Sequence, residues 1–207
     1  MSTAQPLVDV EDVRAEVDAR LEAHLEGLAE ELAPLGGGTL DLLDALRLTL
    51  AGGKRLRAAF CYWSWRAHAP ADGDREPALL VGAALELFQS AALVHDDVMD
   101  ASDTRRGRPS SHRAFEARHL AAGWSGSAAR FGESAAILLG DLALIASERQ
   151  VTAALADLGP ERARAVRRTF DLMRTEVTAG QYLDVLAQCV PWGLDTVTVR
   201  PAKAWSS

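Results

Sequence analysis

The chain has 207 residues, 48% of them hydrophobic and 25% charged, with a formal net charge of −7 and a pI near 5.2. That length supports one substantial core, most simply a single domain. The acidic balance argues against nucleic acid as a partner and makes local basic clusters stand out.

Ala and Leu are abundant and β-branched residues few, which predicts an all-α chain. Cys61 and Cys189 form no CxxC and have no nearby histidine, so disulfide and zinc frameworks are set aside and reduced thiols in a cytoplasmic protein are expected. The opening MSTAQPLVDVEDV has neither a basic start nor an apolar segment of secretory type. The longest apolar runs are interrupted by Glu86 and Asp141, so no transmembrane segment is expected.

Within residues 10–35, Val13, Val17, Leu21, Leu25, Leu28 and Leu32 recur at helical period, and Gly36, Gly37 and Gly38 should stop that helix. Thr39 and Asp41 can open a second helix through Leu50. Gly52 and Gly53 then permit a tight turn, leaving Lys54 at the start of a third helix with Arg55 and Arg57 close behind. A helix N-terminus offers backbone N–H groups to an anion. Cations there oppose the helix dipole unless a ligand supplies the negative charge, so GGKRLR reads either as a phosphate site or as a tolerated surface cluster. Phe60, Tyr62, Trp63 and Trp65 are assigned to core packing.

After a polar linker over 70–77, the fourth helix is expected from Ala78 to Ala101, apolar nearly all round and therefore central. It ends in HDDVMD. Asp96 and Asp100 are one turn apart and can reach one cation, while Asp97, about 100° around the helix, can assist through water. Hard oxygen donors at this spacing suit Mg²⁺, which keeps several waters and shares its other positions with phosphate oxygens. Arg105 and Arg106 follow at once, which makes sense if the metal carries a polyanion, so the stretch reads as a diphosphate site. The plain alternative is a solvated helix end of little consequence. Against it, three carboxylates closing an apolar helix repel one another unless a counter-cation is present. Gln89 lies two turns before Asp96 on the same face, and His95 is read as a hydrogen-bonded neighbour without a catalytic role.

Gly107 and Pro109 must take the chain out of the helix. A shorter helix is expected within 110–123 and a long one over 127–158, where Asp141, enclosed by apolar residues, should be buried and brace a neighbouring element. Pro160 opens a last helix to Cys189, on which Gln181 and Asp184 face either a central cavity or water. From Pro191 the helical period is lost, giving a domain over 1–190 and an irregular tail over 191–207.

With GGKRLR, HDDVMD, the following RRG, LLGD and GQYLD in that order, residues 52–187 resemble the trans-isoprenyl diphosphate synthases, the polyprenyl synthetase family. The resemblance implies an isoprenoid-synthase-like helical bundle around a central cavity, incomplete at the C-terminus, where the family's Lys-Thr pair and second aspartate-rich motif are missing. It implies a Mg²⁺-dependent prenyltransferase that condenses isopentenyl diphosphate with an allylic diphosphate. By position, Asp96 and Asp100 would bind the metal with Asp97 in support. Arg105, Gln181 and Asp184 would hold the allylic diphosphate, and Lys54, Arg57, Gln89 and Arg106 the isopentenyl diphosphate. Gln89 stands where many members have histidine. A homodimer is implied, and Ala91 and Ala92 followed by Phe88 below the aspartates suggest a product of intermediate or greater length. Loss of the second motif predicts impaired turnover, so the alternative is a catalytically inactive relative or partner subunit. A terpene cyclase would have no use for Lys54, Arg57 and Arg106.

Overall fold

The computed structural model describes residues 11–190. Its helices are α1 (Val13–Leu32), α2 (Gly37–Leu50), α3 (Leu56–Arg66), α4 (Glu76–Met99), α5 (Ser111–Ala121), α6 (Ala128–Leu155) and α7 (Pro160–Cys189), with a 3₁₀ turn at Ala33–Leu35. A small antiparallel hairpin, β1 (Thr104–Arg105) and β2 (Arg108–Pro109), joins α4 to α5. The chain divides into two compact units between Leu158 and Gly159, with α1–α6 in the first and α7 in the second. The expected tail over 191–207 lies outside the described residues, as does the expected helix start at residue 10.

Helix α4 is the axis of the first unit and packs against α1, α2, α3, α5 and α6. Leu79, Ala83, Leu87 and Ala91 on it are fully buried, as an all-round apolar sequence requires. Small residues set its distance from α6. A Cβ added at Gly140 would collide with the His95 ring, and the buried Ser147 hydroxyl donates to the Ala84 carbonyl at 2.7 Å. Among the described residues α4 alone is long and apolar enough to cross a membrane, and 61% of that stretch is buried in the bundle, as befits a core helix.

The stripe Val13, Val17, Leu21, Leu25 and Leu28 is buried as its spacing predicts, each side chain stabilising the fold by about 2 kcal/mol. Only Gly36, at φ 108°, breaks the chain; Gly37 and Gly38 already belong to α2, which therefore starts before Thr39. The Thr39 hydroxyl donates back to the Leu32 carbonyl at 3.0 Å instead of capping the helix. Pro77 sits in the first turn of α4, where its missing N–H costs nothing, so this helix begins at Glu76 and not at Ala78.

Two expectations about burial are corrected. Phe60 is 73% and Trp63 40% exposed, because α3 buries a narrow face through Ala58 and Tyr62, and residues two or one positions away point elsewhere. Asp141 is exposed, although it does brace a neighbour: its carboxylate lies 3.6 Å from Nε2 of His95, and that ring also meets the Ile137 carbonyl at 3.1 Å.

Candidate active site

Helices α3 and α4 run antiparallel. The Ala58 amide donates to Oε1 of Glu86 at 3.4 Å, while Tyr62, one turn further along α3, lies under the Arg75 guanidinium at 5.6 Å. The start of α3 therefore looks along α4 toward its aspartates. The Thr49 hydroxyl, in the last turn of α2, is hydrogen-bonded to the Ser90 hydroxyl. Together these contacts hold the Gly52–Arg57 turn level with residues 86–90, roughly 10–15 Å below Asp96 along the helix axis.

Lys54 and Arg57 are exposed and form no ion pair among the described residues. Arg55, counted with them from sequence, is different: it is 8% exposed, and Nε donates to Oδ1 of Asp18 at 2.7 Å. It is the N-cap of α3 in the left-handed region, so the helix starts at Leu56 and Lys54 precedes it.

At the other end, the three aspartates are unequal. Asp97 is 3% exposed and accepts from Nε of Arg105 at 2.9 Å, where the sequence placed it at the rim of the acidic face. Nη2 of Arg105 also reaches Oδ2 of Asp96 at 3.2 Å. The hydrogen bond to Asp97 and the field of both carboxylates push the Arg105 pKa further up, so its charge is permanent. Asp100 is exposed at the C-cap, and its amide donates to the Asp96 carbonyl at 2.8 Å, fixing the one-turn spacing.

The hairpin explains why adjacent arginines do different things. Its two loop residues, Arg106 and Gly107, have φ of 53° and 76°, the signature of a type I′ turn. Arg105 is thereby turned back onto Asp97, while Arg106 is exposed at the tip. A cavity of about 590 Å³ adjoins them, lined by Gly52, Ser90, Leu93, Val94, Asp97, Arg105, Arg106, Arg108, Phe115 and Arg118 among others. Of the residues singled out from sequence, Asp97, Arg105 and Arg106 line it; Lys54, Arg57, Gln89, Asp96 and Asp100 do not. Gln181 and Asp184 belong to α7, the separate unit. The contributions of α2 and α5, including Asp41, Asp44, Phe115 and Arg118, carried no local signal, since only tertiary packing brings them there.

No group of three or more His, Cys, Asp or Glu side chains poised to hold a metal occurs among the described residues. The donor set nevertheless fits Mg²⁺. Asp96 and Asp100 stand one turn apart and offer hard carboxylate oxygens at the C-terminal end of α4, where the helix dipole favours a cation, and Arg105 already places one at the edge of the cluster.

The polyprenyl synthetase family model matches residues 41–198. The chain belongs to that family. Among polyprenyl synthetases, it is 36% identical over 184 residues to the geranylgeranyl diphosphate synthase of Mycobacterium tuberculosis, covering 88% of this chain and 46% of that protein. It is 31% identical over 159 residues to the farnesyl diphosphate synthase of Bacillus subtilis, covering 72% of this chain and 47% of the relative. Its fold matches the geranylgeranyl pyrophosphate synthase of Corynebacterium glutamicum, solved with isoprenyl diphosphate and magnesium, at a TM-score of 0.80 and 35% identity over 88% of this chain and 52% of that one. The chain thus spans about half the length of the polyprenyl synthetases it matches.

Proposed function

We propose that this polyprenyl synthetase chain binds isopentenyl diphosphate and an allylic diphosphate and joins them into a longer polyprenyl diphosphate. The observation that carries the reading is the meeting of Gly52, from the glycine turn, with Asp97, from the end of α4, and Arg105 and Arg106, from the hairpin, around one cavity with a largely apolar floor. A diphosphate with an isoprenoid chain has this same division into anion and hydrocarbon.

In this reading Asp96 and Asp100 hold Mg²⁺, with Asp97 keeping Arg105 in place beside them. The ion, when bound, supplies Lewis-acid stabilisation of the departing diphosphate. Arg105 holds the allylic diphosphate. Lys54, Arg57 and Arg106 neutralise the isopentenyl diphosphate, and Gln89 donates a hydrogen bond to it without adding positive charge. Leu93, Val94 and Phe115 exclude water from an allylic cation. We take the chain to be cytoplasmic, in keeping with its two free cysteines, and homodimeric, supported by exposed Leu120 on α5 and Leu138 on α6.

A second reading, a diphosphate-binding chain without turnover, is favoured by one observation: the Arg105 guanidinium already pairs with the carboxylates of both Asp96 and Asp97. Incubation with Mg²⁺, labelled isopentenyl diphosphate and allylic diphosphates of several lengths separates the two. Elongated product, lost in Asp96→Ala and Asp100→Ala, establishes the synthase. Binding without product establishes the second reading, and no binding of either diphosphate ends both.

A further inference from the structure

We infer that Arg55 is a positioning residue, whose buried guanidinium fixes the glycine turn so that Lys54 and Arg57 are presented together to a diphosphate. The inference rests on the reading of Lys54 and Arg57 as diphosphate-binding residues. One side chain ties three helices to the turn. Nε of Arg55 donates to Oδ1 of Asp18 on α1 at 2.7 Å, and Nη2 donates to the Leu50 carbonyl in the last turn of α2 at 2.8 Å. Nη1 lies 3.6 Å from Oε2 of Glu86 on α4, whose other oxygen accepts from the Ala58 amide in the first turn of α3 at 3.4 Å.

Both ends of the Arg55–Glu86 pair are sequestered, at 8% and 9% side-chain exposure. The turn is shaped around the guanidinium as well: a Cβ on Gly53 would stand 2.8 Å from Nη1. The backbone at Arg55 adopts φ 51°, a left-handed conformation unusual outside glycine, which sends this one cation inward between two that remain in solvent. Three partners in three directions need the planar fork of arginine; an ammonium cannot serve them all. The turn is thereby ordered before any ligand arrives, which lowers the entropy lost on binding.

The test uses the whole chain, inorganic pyrophosphate and isopentenyl diphosphate as titrants, and amide hydrogen exchange over residues 51–57. Arg55→Met should weaken both titrants about tenfold and speed exchange in the turn at least tenfold, with Arg55→Lys intermediate. Arg55→Met strands Glu86, so the decisive variant is Arg55→Met/Glu86→Leu. An apolar pair should restore stability to urea, while affinity and exchange remain at the single-variant level. If affinity returns with stability, Arg55 only stabilises the fold and the inference is overturned; unchanged exchange in the turn overturns it equally. If Lys54→Ala and Arg57→Ala leave binding intact, the diphosphate reading itself fails, and the inference about presentation falls with it even if exchange shows the turn anchored.

Discussion

Nε of Arg105 donates to Oδ1 of Asp97 at 2.9 Å, joining the hairpin to the most buried carboxylate of the aspartate cluster. Arg105→Ala should destabilise the first unit by about 2 kcal/mol, because it leaves a carboxylate buried without its charge partner. The figure is held below that of a fully buried pair because the Arg105 side chain is 38% exposed. Arg105→Ala/Asp97→Asn should recover part of the loss in urea unfolding. Strict additivity of the two single variants would show that the pair is not coupled.

Two glycines on α6 should respond differently to alanine. At Gly132 the new methyl group meets the His112 carbonyl and the Glu116 amide, backbone atoms of α5 that cannot rotate away. At Gly140 the nearest atoms it meets belong to the imidazole of His95, a side chain that can move aside. Gly132→Ala is therefore expected to cost about 3 kcal/mol and Gly140→Ala about 1–2 kcal/mol, the latter by displacing His95 from Asp141. Chemical denaturation of both variants checks the order, and equal costs would contradict it.

His24 gives the fold a pH dependence of known sign. Burial, aided by the Arg149 charge and opposed by Glu31, holds its imidazole pKa below the ordinary value, and its Nε2 has no protein partner. The unfolded chain therefore takes up a proton before the folded one. Stability from this group is complete above the unfolded pKa of about 6.5 and falls as the pH drops toward the folded value, by at most about 1.4 kcal/mol per pH unit. Urea midpoints measured between roughly pH 7.5 and 5.5 should fall less for His24→Gln than for the native chain.

Phe88 is 8% exposed, two turns below the aspartates on α4. Phe88→Ala should cost about 3–4 kcal/mol of stability as a core truncation. If the chain is a synthase, the same change opens space beneath the site, and product analysis by chromatography should show chains longer by at least one five-carbon unit. Products of unchanged length would remove Phe88 from the control of elongation.

How far the sequence could be read depended on whether a residue's role was local. The α1 stripe and the central, apolar α4 follow from periodicity alone, since each helix answers to its own burial pattern. The motifs GGKRLR and HDDVMD were visible because their residue types are chemically out of place in an acidic, helical chain. Arg55 was misread because a buried cation and an anion-binding one look alike until Asp18, Leu50 and Glu86, up to 37 positions away, are brought beside it. Phe60 and Trp63 were misread because hydrophobicity says a side chain can be buried, not which way its helix is turned. The hairpin escaped notice because Arg-Gly is not the Asn-Gly or Asp-Gly pair that usually announces such a turn.

That hairpin sets two demands against each other. Arg106 occupies a left-handed position that asparagine or glycine would fill with less strain, at a cost on the order of 1 kcal/mol. A library of this chain selected for heat resistance alone should accordingly drift to asparagine at 106, and its survivors would be sturdier proteins that had surrendered a charge at the mouth of the cavity.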